Sequence, residues 1–246
     1  STGYGTRLRA AGYREWGGKM QDDITDGVKH LIAEGIVDAG RVGIYGASYG
    51  GYATMAGLCF TPELYRCGIN YVGVTDIDLI LKEYPLPKKI NDAIDAVMIA
   101  DRKKDRDWIK SRSIQNNIDK VRAPVLMAYG MKDWRVPPKH GRILKRALDR
   151  NNIPNKLIIK ANEGHGYRNE DNIFEFYREV DAFLEQLDHE RLGIGHVLQA
   201  VRLHGVAEQA VVLHELVDRR NLGDGLLIIL GLAIYDRLVA DALDGL

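Results

Sequence analysis

Short apolar runs alternate with stretches of helical periodicity along most of this chain. Val42, Ile44 and Tyr45 form one such run, bounded by glycines, and Tyr52, Met55, Ala56 and Cys59 follow it at helical spacing. Residues 67–74, 123–130 and 156–160 repeat the strand pattern. Helical faces lie around them: Met20, Ile24, Val28, Leu31 and Ile32, then Ile143, Leu144, Ala147 and Leu148, then Ile173, Tyr177, Val180 and Leu184. Asp22 and Asp23 fall in the first turn of the first of these helices, where carboxylates favour the positive end of the helix dipole, and Pro138 suits the first turn of the second. Strands alternating with helices predict a mainly parallel sheet flanked by helices, an α/β fold. Residues 1–18, rich in glycine and aromatics, carry neither period and read as a loop.

Two stretches break the rhythm. Residues 82–113 hold Lys82, Lys88, Lys89 and a run from Asp101 to Asp107 charged at nearly every position; they read as a solvated helical excursion, with a lid over a pocket as the alternative. From about residue 190 the composition shifts abruptly, since residues 190–246 contain no Lys, Ser, Thr, Pro, Cys, Met, Phe or Trp. The chain therefore divides into residues 1–189 and an unassigned tail, 190–246. The apolar stretch 225–235 is far short of the roughly 20 residues that span a bilayer, so no membrane helix is expected. His196, His204 and His214 are spaced unlike any usual metal-ligand set.

Composition narrows the partners. The chain has 246 residues, 46% hydrophobic and 28% charged, enough for one sizeable core. Lys+Arg and Asp+Glu balance at 34 each, so nothing points to nucleic acid or an anionic membrane, and a ligand is sought in a pocket. Cys59 and Cys67 belong to no Cys-x-x-Cys pair and read as buried thiols. With neither a disulfide framework nor a basic-then-apolar leader, the expected setting is cytoplasmic.

The chemistry is carried by Gly46-Ala47-Ser48-Tyr49-Gly50. With glycine and serine each at roughly 7% of residues, such a string arises by chance in about one chain in ten of this length, so its context decides. Here a strand precedes it and a helix follows, which places Ser48 on a sharp, strained turn with its hydroxyl above the sheet, a nucleophile elbow. A serine hydroxyl needs an imidazole to take its proton, and the imidazole needs a carboxylate to hold its tautomer. Asp133 and His165 supply these just past two later strands, in the chain order Ser, Asp, His. Asp76 and Asp78 also follow a strand but are less favoured than Asp133, which lies one unit before the histidine. His30 and His140 read as surface or helix-end residues, whereas His165, between Gly164 and Gly166, reaches Ser48 with little steric hindrance. The Tyr49 N–H would donate to an oxyanion, and neither a metal nor any other cofactor is expected.

Ser1-Thr2-Gly3-Tyr4-Gly5, Trp16-Gly17-Gly18-Lys19-Met20-Gln21-Asp22-Asp23, Gly46-Ala47-Ser48-Tyr49-Gly50-Gly51, Asp133-Trp134-Arg135-Val136-Pro137 and Glu163-Gly164-His165-Gly166-Tyr167, in this order, resemble the catalytic domain of the prolyl oligopeptidase family. The resemblance is nearest to its acylaminoacyl-peptidase and dipeptidyl-aminopeptidase branch and covers residues 1 to about 188. It implies an α/β-hydrolase fold and a serine peptidase acting on short peptides, with Ser48, Asp133 and His165 as the triad. It also implies that a β-propeller, a second oxyanion donor and the first strands of the sheet lie upstream of Ser1, so that 1–189 is a partial hydrolase domain. Two rival expectations accompany it: an esterase on the same fold, and an inactive fragment or association module. The absent strands would leave the β-edge at Val42, Ile44 and Tyr45 open to self-association unless Leu226-Leu227-Ile228-Ile229-Leu230 of the tail covers it.

Overall fold

Four strands from the alternating part of the chain, β1 (Val42–Ala47), β2 (Cys67–Tyr71), β3 (Val125–Gly130) and β4 (Asn155–Lys160), pair in parallel. The computed structural model describes residues 4–83, 88–192, 199–201 and 227–231. Two short strands of the tail, β5 (Gln199–Val201) and β6 (Leu227–Gly231), complete a six-stranded sheet in the order β4-β3-β2-β1-β6-β5. All five pairings are parallel, so connections cross over the sheet and both faces are covered.

Alternation along the strands sorts the core into two layers. Val42 and Ile44 of β1 join Val125, Met127 and Tyr129 of β3 on one face, while Tyr45, Ile69, Tyr71, Leu126 and Ala128 line the other. Three helices cover the first face: α2 (Lys19–Ala33), α3 (Tyr49–Phe60) and α7 (Lys139–Arg150). Every residue of α3 from Tyr49 to Cys59 is buried, as expected of a helix apolar on all sides that lies between the sheet and an outer layer. The second face is covered by α8 (Glu170–Leu192) through Phe176, Val180 and Leu184. Cys59 and Cys67 are buried free thiols, and burial pushes the Cys59 thiol up to about 12.

The structure departs from the sequence pattern in several places. Residues 5–11 form a helix, α1 (Gly5–Ala11), within the stretch read as a loop; none of its residues is buried, so it carries no apolar period to betray it. Residues 1–3 lie outside the described residues. The second strand stops at Tyr71 instead of running to residue 74, because Val72 has φ 47, a left-handed conformation that a β-branched residue tolerates badly and that ends the ladder. The charged excursion takes in the end of α4 (Ile77–Glu83) and two further helices, α5 (Lys88–Met98) and α6 (Arg106–Arg112), and it is more than a solvated flap: Ile99, Ala100 and Ile109 are buried in the main core. It borders an open cavity of about 780 Å³ whose lining, Asp76, Asp78, Arg102 and Lys110 among it, includes none of Ser48, Asp133 and His165.

The sheet also crosses the composition boundary at residue 190. Leu227 to Gly231 pair with Val42 to Gly46 one for one, so the open edge of β1 is filled by a strand of the tail. His196, His204 and His214 lie outside the described residues. Among the described residues no helix is long and apolar enough to cross a membrane.

Candidate active site

The carboxyl ends of three parallel strands deliver three side chains to one point. Ser48 follows β1 directly and caps α3, with φ 56 and ψ −117, a strained conformation for any residue but glycine. Two backbone bonds hold it there: its N–H donates to the Tyr71 carbonyl at 2.9 Å, and its carbonyl accepts from the Tyr52 N–H at 3.2 Å. The turn is so tight that a Cβ at residue 46 would lie 2.1 Å from the Gly50 carbonyl oxygen, so only glycine fits at the start of the motif.

Asp133 follows β3, and its side chain is fully buried. One carboxylate oxygen, Oδ1, accepts the N–H groups of Arg135 and Val136, each at 2.9 Å, which fixes the plane of the carboxylate. The other, Oδ2, lies 2.8 Å from His165 Nδ1. His165, in the loop after β4, places Nε2 at 2.9 Å from the Ser48 hydroxyl. With Nδ1–H donating to Asp133, the Nε2 lone pair faces the serine proton, and the path from hydroxyl to carboxylate is continuous. The flanking glycines act otherwise than the sequence implied. A Cβ at Gly164 or Gly166 would meet nothing nearer than 3.8 Å, so bulk is tolerated, and the demand is the φ of 90 at Gly166.

Tyr49 opens α3, where the first N–H groups have no intrahelical acceptor, so its amide is placed to donate to an oxygen bonded above Ser48. Its own ring is buried against Trp16, with centroids 4.8 Å apart. The rival residues are committed elsewhere. Asp76 accepts from the Leu79 N–H at 3.1 Å and from Gln115, and Asp78 pairs with Arg102 at 2.6 Å. His30 is exposed. His140, read as a surface or helix-end residue, does lie in the first turn of α7 but is wholly buried, its Nδ1 accepting from the Thr75 N–H at 3.2 Å. Among the described residues no three His, Cys, Asp or Glu side chains gather into a metal-binding group.

Two further residues serve the site and escaped the sequence reading. Tyr71 accepts the Ser48 amide with its carbonyl and the Tyr167 N–H with its hydroxyl, linking the elbow to the histidine loop. Its ring stacks on Phe176 of α8, 4.8 Å between centroids. In sequence it is one more apolar strand position. Glu163, quoted only as part of a motif, is 3% exposed, and its carboxylate accepts three hydrogen bonds.

Comparison with known proteins adds the ancestry. The profile described as the prolyl oligopeptidase family matches residues 1–190. Dipeptidyl aminopeptidase BIII of Pseudoxanthomonas mexicana is 34% identical over 196 residues, 76% of this chain and 27% of that protein. Dipeptidyl peptidase family member 6 of Caenorhabditis elegans is 33% identical over 190 residues, again 76% of this chain and 26% of that protein. Among solved structures, a puromycin-hydrolyzing peptidase of Mycobacterium tuberculosis superposes with a TM-score of 0.68 at 26% identity, over 77% of this chain and 28% of that one. The chain thus spans about a quarter of the length of the curated relatives it matches.

Proposed function

We propose, because this chain belongs to the prolyl oligopeptidase family, that it is the catalytic part of a serine peptidase and that Ser48, His165 and Asp133 are its triad. The observation that carries the reading is the unbroken hydrogen-bond path from Ser48 Oγ through the His165 ring to Asp133, 2.9 Å and 2.8 Å long. Ser48 attacks the carbonyl of a short peptide while His165 Nε2 takes its proton. Asp133 stabilises the imidazolium that results, and the Tyr49 N–H donates to the developing oxyanion. His165 then protonates the leaving amine, and water, activated by the same imidazole, releases the acyl group from Ser48.

The names of the two relatives, dipeptidyl aminopeptidase and dipeptidyl peptidase, support peptides as the substrate class. An acyl-transfer triad serves an ester equally well, so the chemistry is tested by hydrolysis of matched peptide and ester substrates by the full chain. The expected result is turnover of the peptide, abolished in Ser48→Ala by about three orders of magnitude or more. Ester turnover with no measurable peptide turnover would favour the esterase, and peptide turnover undiminished in Ser48→Ala would remove the triad.

A further inference from the structure

His165 bonds to Ser48 and Asp133 through its ring, but those bonds orient the imidazole only if the loop beneath it stands still. The loop between β4 and α8 has no regular backbone pairing beyond a single bridge between Gly164 and Gly166. We propose that Glu163 is a positioning residue for His165, its buried carboxylate closing the loop on both sides of the histidine. This rests on the reading of His165 as the general base.

Glu163 touches neither Ser48 nor the imidazole in any hydrogen bond, yet four bonds converge on it. Oε2 accepts the Arg168 N–H at 2.8 Å. Oε1 accepts the Asn169 N–H at 3.0 Å and the Asn172 side-chain amide at 2.6 Å. Its backbone carbonyl accepts the Lys132 N–H at 2.8 Å, immediately before Asp133. One residue therefore ties the entry of the histidine loop to its exit, to the first turn of α8 and to the loop that carries the triad carboxylate. Burying a carboxylate is costly unless donors surround it, so this arrangement persists only as a complete set. Burial pushes the Glu163 carboxyl up, but the Asn172 amide and the N–H groups of Arg168 and Asn169 outweigh it and hold the group below the usual carboxylate range. The donors thus face a carboxylate, and a neutral amide in its place would present an NH₂ group to one of the N–H groups.

The test is long-range proton–nitrogen NMR of the imidazoles in the full chain, with His165→Ala assigning the signals. The wild type is expected to show one fixed His165 tautomer, protonated at Nδ1 and bare at Nε2. In E163Q, still folded by circular dichroism, the two nitrogen shifts converge as the tautomers exchange, and kcat falls by about tenfold to a hundredfold with KM within twofold. E163D, which keeps the charge, recovers part of both. Where E163Q does not fold, N172A removes one donor and is expected to move the shifts the same way by a smaller step. Wild-type shifts retained in E163Q, or in N172A if that is the variant that folds, overturn the proposal, as does an imidazole already averaged in the wild type. A fixed tautomer in a chain without peptide turnover contradicts the peptidase reading instead, and the shifts alone then decide for or against Glu163.

Discussion

At position 140 an imidazole is packed out of solvent at the start of α7, its Nδ1 accepting from the Thr75 N–H, while the Thr75 hydroxyl donates to the His140 carbonyl at 3.1 Å. That geometry puts the ring proton on Nε2, which has no hydrogen-bond partner among the described residues. Burial, helped by the neighbouring Lys139 charge, lowers the His140 pKa to about 3. The unfolded chain takes up this proton near pH 6.5, so protonation favours unfolding. Stability should therefore be full above about pH 6.5 and fall as pH drops towards 3, by up to about 1.4 kcal/mol per pH unit from this group. Thermal melts at pH 7 and pH 4 check it: His140→Asn, which keeps an acceptor for Thr75 and cannot be charged, should narrow the difference between the two. An unchanged difference would contradict the assignment. The burial was in fact legible, since His140, Leu144, Ala147 and Leu148 share one helical face, but the charged neighbours Lys139 and Arg142 disguise it. The convergence of Ser48, Asp133 and His165 was legible because chain order and strand ends both constrain where they lie. Glu163 and Tyr71 were not, because most of their hydrogen-bond partners are backbone N–H groups whose positions only the folded loops define.

At the scale of elements, the charged excursion shows why a run such as residues 101–107 is hard to read. Its carboxylates are spent on the local backbone: Asp101 Oδ1 accepts the N–H groups of Lys103 and Lys104, and Asp105 Oδ2 accepts that of Asp101. The excursion is then fastened to the N-terminal segment by Arg14, itself in a left-handed conformation with φ 61. Its N–H donates to the Met98 carbonyl at 2.9 Å, and its guanidinium to the Ala96 carbonyl at 2.7 Å and to Asp105 at 2.6 Å. A second stitch runs from the Arg112 guanidinium to the Gly17 carbonyl. Nothing in the spacing of residues 14 and 105 announces such a contact. Arg14→Ala should cost about 1–2 kcal/mol, the lower part of the range for charge-assisted bonds because the pair is partly exposed. Limited proteolysis locates the effect: faster cutting is expected within 88–113 and an unchanged rate elsewhere, while a uniform change would deny that Arg14 is the fastening.

For the whole molecule, a parallel sheet flanked by helices was legible in the alternation of strands and helices, whereas the partial α/β-hydrolase fold over residues 1–189 was implied by the motifs that carry the family resemblance. The covering of β1 was less so, because an apolar run in the tail is equally able to be helix or strand until a partner edge selects one. Pairing of Leu227–Gly231 with Val42–Gly46 satisfies backbone groups that would otherwise be left without partners, each at a cost of about 1 to 3 kcal/mol if buried. Removing residues 193–246 should thus expose the β1 edge, and light scattering is expected to report association with a lowered melting temperature. A compact, soluble monomer with an unchanged melt would show that the edge needs no cover. Activation of Ser48 in the folded chain is read out by exposing the full chain to a fluorophosphonate probe and locating the adduct by peptide mass spectrometry. A single adduct on Ser48 is expected, absent in Ser48→Ala and formed at least about a hundredfold more slowly in His165→Ala. No adduct on the natively folded chain, or equal labelling without His165, would contradict it.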